Sequence, residues 1–192
     1  ETGWTIVDYY LRRKPSYYFV KRAFEPVRLI LRRQAGAVAV VAVNDTARDE
    51  TVSIEYGWMA WDGASRRTES RSATLLARSR RLLWTFAPRY DAGGCVFARI
   101  CGRDMAPALL RERPFRELPI PPARVRVEEV RRQDGGWRIT LAADTFAHAV
   151  RLNVGGDARL SDHYFDMLPG DRRTILLEGA APGQLMVAAL PD

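Results

Sequence analysis

Beyond Pro26 the sequence alternates apolar and polar side chains with a period of two, and this pattern restricts the fold more than any other feature. The period is that of a β-strand with one buried face. Residues 37–43 are apolar at every position, which predicts a central strand buried on both faces. Further strands are predicted over residues 27–32, 51–61, 71–77, 82–87 and 95–101. Short strands separated by turn signals such as Asp62-Gly63 are typical of a β-sandwich.

A proline-rich stretch divides this pattern into two parts. Four prolines within residues 114–122 cannot continue a sheet and favour an extended connector. The alternation then restarts, with strands predicted over residues 123–130, 137–143, 150–154, 173–177 and 184–190. We therefore predict an all-β chain with two immunoglobulin-like β-sandwiches, one over residues 27–118 and a smaller one over residues 119–192.

The segment before Pro26 is of a different kind. Lys14-Pro15-Ser16 predicts the start of a short helix, since proline is tolerated in a first helical turn, and Pro26 ends it. Its apolar and aromatic side chains are Tyr17, Phe19, Val20 and Phe24. A helix this short is unstable alone in water, and the sheets that follow offer it few partners. The chain also lacks an initiator methionine, so we expect residues 1–26 to be the end of another domain, in a piece of a larger protein.

Two motifs in the sequence resemble those of a known enzyme family. The first comprises Trp4–Tyr10, Lys14–Tyr18 and Lys21–Pro26, and the second is Leu160–Asp171, with the sequence LSDHYFDMLPGD. In this order they resemble the barrel-to-sandwich junction and the C-terminal segment of β-mannosidases and exo-β-glucosaminidases of glycoside hydrolase family 2. The second motif departs from the family pattern at His163 (usually Asn), Met167 (Leu) and Asp171 (Glu).

The resemblance implies that this chain is not itself catalytic. It implies that residues 1–26 hold the last helix of a (β/α)8 barrel, and that the two glutamates of a retaining glycosidase lie upstream of them. The whole enzyme is then expected to remove terminal β-linked mannose or a related sugar. The two sandwiches are expected to brace the upstream barrel, which is the expected partner. No catalytic residue and no cofactor is assigned to the chain.

The second motif contains two carboxylates that invite a catalytic interpretation. Asp162 and Asp166 flank two aromatic residues, and a glycosidase works with paired carboxylates. A working pair needs an acid in an enclosed cleft, whereas this segment leads into a turn at Pro169-Gly170. We therefore favour a structural role, with Tyr164 and Phe165 filling the core. One of the two aspartates then accepts backbone N–H bonds, and contact with a sugar or a metal is the less favoured alternative.

Three residues are candidates for contact with carbohydrate. Trp58 and Trp61 are three positions apart, so in a regular strand one faces the core and the other faces outward. An outward indole can stack on a sugar ring, as in an autonomous carbohydrate-binding module, although we favour packing against a neighbouring domain. His163 either faces the entrance of the parent active site or replaces an Asn that bonds a nearby backbone group, and we favour the second. An oligosaccharide is thus a further candidate partner.

The net charge of +7 comes almost entirely from arginine. These arginines form pairs scattered along the chain, whereas surfaces that track phosphates cluster basic residues on one face. We therefore expect no nucleic-acid partner, and keep polyanion binding as the third hypothesis. No apolar run approaches the roughly 20 residues of a membrane span, so no membrane partner is expected. Cys95 and Cys101 have no nearby histidine pair, which argues against a metal site.

Overall fold

The structure is a computed structural model, and it describes residues 4–89, 91–154, 158–179, 181–183 and 185–191. The described residues form one α-helix, a short 3-10 turn and fourteen β-strands. The prediction of an all-β chain with one short N-terminal helix is therefore confirmed. The chain groups into two compact units: one runs from Glu25 to Pro121, and the other joins the chain up to Phe24 with the chain from Pro122 onward.

The unit from Glu25 to Pro121 is a sandwich of two antiparallel sheets. Its strands are β1 (Val27–Gln34), β2 (Ala37–Asn44), β3 (Glu50–Ala60), β4 (Arg66–Leu75), β5 (Ser79–Phe86), β6 (Gly94–Ile100) and β7 (Ala108–Leu110). One sheet has the order β1-β2-β5 and the other the order β4-β3-β6-β7. This division into three and four strands is an immunoglobulin-like arrangement. A 3-10 turn at Phe115–Glu117 follows the last strand.

Apolar side chains at alternate positions fill the space between these two sheets. Val40, Ile54 and Val96 belong to three different strands and are fully buried. From Val38 to Asn44, β2 is buried on both faces, as its uninterrupted apolar sequence predicts. Asn44 ends this strand and ties the following turn, because its amide donates hydrogen bonds to the carbonyls of Arg48 (2.8 Å) and Leu75 (2.9 Å).

The second unit combines the N-terminal helix α1 (Pro15–Ala23) with a second two-sheet sandwich. Its strands are β8 (Val125–Gln133), β9 (Gly136–Ala143), β10 (Ala147–Asn153), β11 (Arg159–Leu160), β12 (Phe165–Met167), β13 (Arg172–Glu178) and β14 (Met186–Leu190). The sheets have the orders β11-β13-β9-β8 and β12-β10-β14. Ile139, Phe146, Phe165 and Ile175 are among the side chains buried in this unit. In the part of the chain that the structure describes, no helix is long and apolar enough to cross a bilayer.

Candidate functional site

Helix α1 buries one aromatic side chain and leaves other apolar side chains exposed. Residues three and four apart share one side of a helix, so Tyr18, Lys21 and Arg22 lie on one side. Phe19, Val20 and Phe24 are exposed, and the Arg22 guanidinium lies 4.8 Å from the centroid of the Phe19 ring. Tyr18 is only 4% exposed, whereas Phe19 is 51% and Phe24 is 79% exposed. α1 thus buries one aromatic side chain, whereas Lys21 is exposed like Phe19 and Arg22 is half-buried.

The inner side of α1 packs on the second sandwich through aromatic rings. The Tyr18 ring meets the His163 ring edge to face, with centroids 5.5 Å apart and planes at 81°. Its centroid also lies 6.3 Å from that of Tyr164. The sequence-based expectation that the chain offers this helix few partners is therefore wrong for the inner side. The partner was hard to foresee because it lies in the Leu160–Asp171 motif, far along the chain.

Cations on the same side of α1 hold backbone carbonyls and one carboxylate. Arg22 lies 2.5 Å from Asp162 Oδ1, and it also donates to the carbonyls of His163 (3.0 Å) and Tyr164 (2.8 Å). Lys21 donates to the carbonyl of Ser161. Both cations of the helix thus help to attach it to the second sandwich.

Asp162 is the centre of this attachment. Its second oxygen accepts a bond of 3.1 Å from Arg173 of β13, whose side chain is 6% exposed. Its first oxygen accepts the backbone N–H of His163 at 2.8 Å. One carboxylate therefore connects α1, the motif and β13, and it uses both oxygens to do so.

Asp166 has separate partners on β10. Its Oδ1 accepts the backbone N–H of Ala149 at 3.1 Å and lies 2.7 Å from His148 Nδ1. Ala149 has a positive φ of 51°, at the point where the pairing register of β10 shifts. Both aspartates of the motif thus hold the backbone of their own unit together.

The two aromatic residues of the motif have different surroundings. Phe165 lies in the core, as expected. Tyr164 is only half-buried, so the prediction that it fills the core is wrong. Its backbone has a positive φ of 54°, which breaks the alternation of a strand and lets the side chain pack beside His163 and Tyr18.

The chain reverses at Pro169-Gly170. Gly170 has a φ of +83°, a conformation that glycine adopts without strain. Its N–H donates to the carbonyl of Ala143, and the N–H of Asp171 donates to the carbonyl of Leu168. The buried Asp171 carboxylate accepts the Leu168 N–H at 3.0 Å. Asp171 was not singled out from the sequence as a residue that shapes this turn.

His163 is an acceptor for the backbone. Its Nε2 accepts the N–H of Leu152 in β10 at 2.8 Å. This is the kind of contact required by the interpretation that His163 replaces a backbone-bonding Asn. Burial of the ring lowers the pKa of His163 from 6.5 to about 4.

Trp58 and Trp61 are both 3% exposed, so the prediction that one of them faces outward is wrong. Strand β3 ends at Ala60, and the alternation on which the prediction depended does not extend to Trp61. The indole N–H of Trp61 donates to the carbonyl of Ala92 at 2.7 Å, and the Arg89 guanidinium lies 4.6 Å from the centroid of the Trp58 ring. Neither indole presents a free face to a sugar ring.

Comparison with known proteins gives three kinds of match. A family model described as an Ig-fold domain of mannosidases matches residues 120–190. β-Mannosidase B of Thermothelomyces thermophilus is 26% identical, over 93% of this chain and 24% of that enzyme. The crystal structure of the β-D-mannosidase of Dictyoglomus thermophilum matches with a TM-score of 0.88 at 25% identity, over 97% of this chain and 24% of that one.

The chain resembles the C-terminal region of a β-mannosidase. It spans about a quarter of the length of the two mannosidases that it matches. The exo-chitosanase of Amycolatopsis orientalis shares the fold, with a TM-score of 0.65 at 13% identity over 97% of this chain and 28% of that one.

One cavity of this β-mannosidase-like chain lies beside His163 and Tyr164. It has a volume of about 580 Å³ and lies in the second unit, with Arg13, Tyr18, His163 and Tyr164 in its wall. No carboxylate is among the described residues that line it, whereas glycoside hydrolysis needs two. The described residues also contain no group of three or more His, Cys, Asp or Glu side chains that could hold a metal ion.

Proposed function

We propose that this chain is the non-catalytic C-terminal region of a larger β-mannosidase-like glycoside hydrolase, in which it braces the catalytic barrel. The observation that carries the proposal is the exposure of Phe19 in α1 and of Phe24 directly after it. The cations of α1 contact the sandwich while Phe19 and Phe24 are exposed. The exposure of these two phenyl rings to water is unfavourable, and another domain that covers them would remove this unfavourable contribution.

The exposed apolar surface continues beyond the helix. Trp4, Tyr9, Tyr10 and Leu11 are also exposed, and all belong to the same N-terminal segment. Soluble proteins rarely leave so many large apolar groups together in water unless they mark an interface. Burying a phenylalanine side chain contributes about 1.5–3 kcal/mol. Covering Phe19 and Phe24, which are already partly buried, therefore contributes about 3 kcal/mol in total.

The reaction of the whole enzyme is proposed from the resemblance. The matched relatives are a β-mannosidase B and a β-D-mannosidase, and the chain spans a quarter of each. The parent enzyme would hydrolyse terminal β-mannosidic or related bonds with two glutamates that lie outside this chain. Within the chain, Asp162 and Asp166 are both engaged in holding the backbone, which supports a structural role for them.

A direct assay separates the chain from its parent. The purified chain is expected to release no nitrophenol from 4-nitrophenyl β-mannoside above a buffer blank, while the longer natural protein releases it. Hydrolysis by the chain alone would overturn the non-catalytic assignment. An inactive longer protein would overturn the proposed substrate.

The bracing role is tested in the longer protein. The double variant Phe19→Ser/Phe24→Ser is expected to lower its midpoint of thermal inactivation, because the barrel then loses an apolar contact surface. Leu82→Ser is the matched control, since Leu82 is as exposed as Phe19 (51%) but lies on β5 of the other unit. Equal inactivation of the two variants would contradict the bracing role.

A further inference from the structure

His163 lies at the joint between α1 and the second sandwich. Its ring packs edge to face on Tyr18, its backbone carbonyl accepts a bond from Arg22, and its Nε2 accepts the N–H of Leu152. One residue thus contacts the helix with its ring and its carbonyl, and contacts β10 with a ring nitrogen. A change in the charge of this ring would therefore affect the helix and the strand together.

The bond to Leu152 sets the protonation state of the ring. A ring nitrogen that accepts a backbone N–H carries no proton, so the proton of the neutral imidazole is on Nδ1. Uptake of a second proton would turn Nε2 into a donor that points at the N–H of Leu152. The contact between ring and strand would then be repulsive, and the ring would have to move.

The charges that act on His163 are of both signs, since Asp162 favours a positive ring and Arg151 of β10 opposes it. The other titratable and charged groups near the ring line the same cavity or contact Asp162. The cavity is lined by Arg12, Arg13 and Tyr18 of the N-terminal segment, Arg159 of β11 and Tyr164, and Asp162 is contacted by Arg22 and by Arg173 of β13. The one carboxylate in this group, Asp162, is already engaged by Arg22 and Arg173. A protonated ring would therefore add a positive charge to a site that is rich in arginine.

We propose that His163 makes the attachment of α1 sensitive to acid, so that protonation of its ring releases the helix from the second sandwich. The release would free Tyr18 from the ring cluster and leave the core of the sandwich folded. The joint matters to the enzyme only if the proposed function holds, but the release itself is a property of this chain.

The pH range follows from the two states of the ring. In the attached state, burial lowers the pKa of His163 to about 4, whereas a hydrated ring after release has its ordinary pKa near 6.5. The attachment is therefore at full strength above about pH 6.5 and weakens as the pH falls toward 4. Each unit of difference in pKa weakens it about tenfold, and the ring is partly exposed, so we expect a loss of at least tenfold.

The test uses the whole chain labelled with 3-fluorotyrosine and followed by fluorine NMR. The Tyr18 signal is assigned by its absence in Tyr18→Phe, and the sample is titrated from about pH 8 to about pH 4. In the wild type the Tyr18 signal is expected to move to the position of a solvated tyrosine. The amide of the buried Ile139 in β9 is expected to keep its protection from hydrogen exchange.

Two histidine variants provide the comparison. His163→Asn carries an amide oxygen that can accept the Leu152 N–H but cannot take up a proton in this range, so its Tyr18 signal is expected to stay in place. His148→Asn removes the other histidine, which lies beside Asp166, and is expected to titrate like the wild type.

Two results would overturn the proposal. One is a Tyr18 transition in His163→Asn at the same pH as in the wild type. The other is a Tyr18 signal that moves only when Ile139 loses its protection, because that would be global unfolding. Neither result depends on hydrolysis or on a barrel, so a failure here is separate from a failure of the proposed function.

Discussion

Arg22 in α1 and Asp162 in the second sandwich are 140 positions apart and form an ion pair of 2.5 Å. Their side chains are only 16% and 13% exposed. Each residue belongs to one of the two motifs that resemble the β-mannosidase family, so the pair connects the two motifs directly. The first motif supplies the helix, and the second supplies the surface that holds it.

Asp162→Ala is expected to lower the free energy of unfolding of the chain by about 3–5 kcal/mol. The reason is that it leaves the buried Arg173 and the largely buried Arg22 without this counter-charge. Arg22→Ala removes the other partner of the ion pair, and it is expected to lower the free energy of unfolding by about 2 kcal/mol. Urea unfolding of the purified chain measures both changes.

The control for this pair is Arg131→Ala on β8. Arg131 is 73% exposed and pairs with the partly exposed Glu129, so its loss is expected to change the free energy of unfolding by less than about 0.5 kcal/mol. An effect of Asp162→Ala no larger than that of Arg131→Ala would contradict the central position of Asp162.

Gly57→Ala is expected to destabilise the first sandwich by about 3 kcal/mol or more. Gly57 has a φ of +152°, and a Cβ there would lie 2.1 Å from the carbonyl oxygen of Arg67 in the neighbouring strand β4. Gly102→Ala is the matched control, because its φ of +75° is also positive but no atom lies within 4 Å of its Cβ position. It is expected to cost about 1 kcal/mol in the same thermal or urea unfolding experiment.

Tyr56 is expected to make the first sandwich sensitive to alkali. Burial of the phenol, together with its hydrogen bond of 2.6 Å to Glu69, raises the pKa of Tyr56 to about 12. The folded state thus favours the neutral phenol, whereas the unfolded state ionises near pH 10. The contribution of Tyr56 to the stability of the first sandwich is therefore complete below about pH 10 and is lost as the pH rises toward 12.

Absorbance at the tyrosinate band and unfolding midpoints between pH 9 and 12 test this sensitivity. Tyr56→Phe is expected to flatten the alkaline decline in stability. Glu69→Gln keeps an acceptor but removes its negative charge, so the decline should still begin near pH 10 but be smaller and end at a lower pH than in the wild type. A decline that is unchanged in Tyr56→Phe would show that another group is responsible.

The sandwich fold could be predicted because burial follows a period of two. β2 shows this best, since a strand without a polar position must be covered on both faces. Strands β11 and β12 were not predicted because they have two and three residues, too few for an alternation to be visible. The start of β4 was also missed, since Arg66–Ser70 belongs to an exposed edge strand without an apolar face.

The attachment of α1 could not be predicted for a different reason. Its inner side carries Lys21 and Arg22, which contact backbone carbonyls and Asp162 in a distant part of the chain. A periodic apolar pattern indicates burial, but it gives no sign of a helix that is held by its cations. The sequence did single out Phe19 and Phe24, which are exposed, and their covering by another domain stays a prediction.

The most direct test of the account measures how well solvent reaches Phe19 and Phe24 in the isolated chain and in the longer natural protein. Hydroxyl-radical footprinting with mass spectrometry gives both values, with the equally exposed Leu82 as a reference in the other unit. If the chain braces a barrel, Phe19 and Phe24 are modified readily in the isolated chain and become protected in the longer protein. Equal modification of these two residues in both proteins would contradict the bracing role.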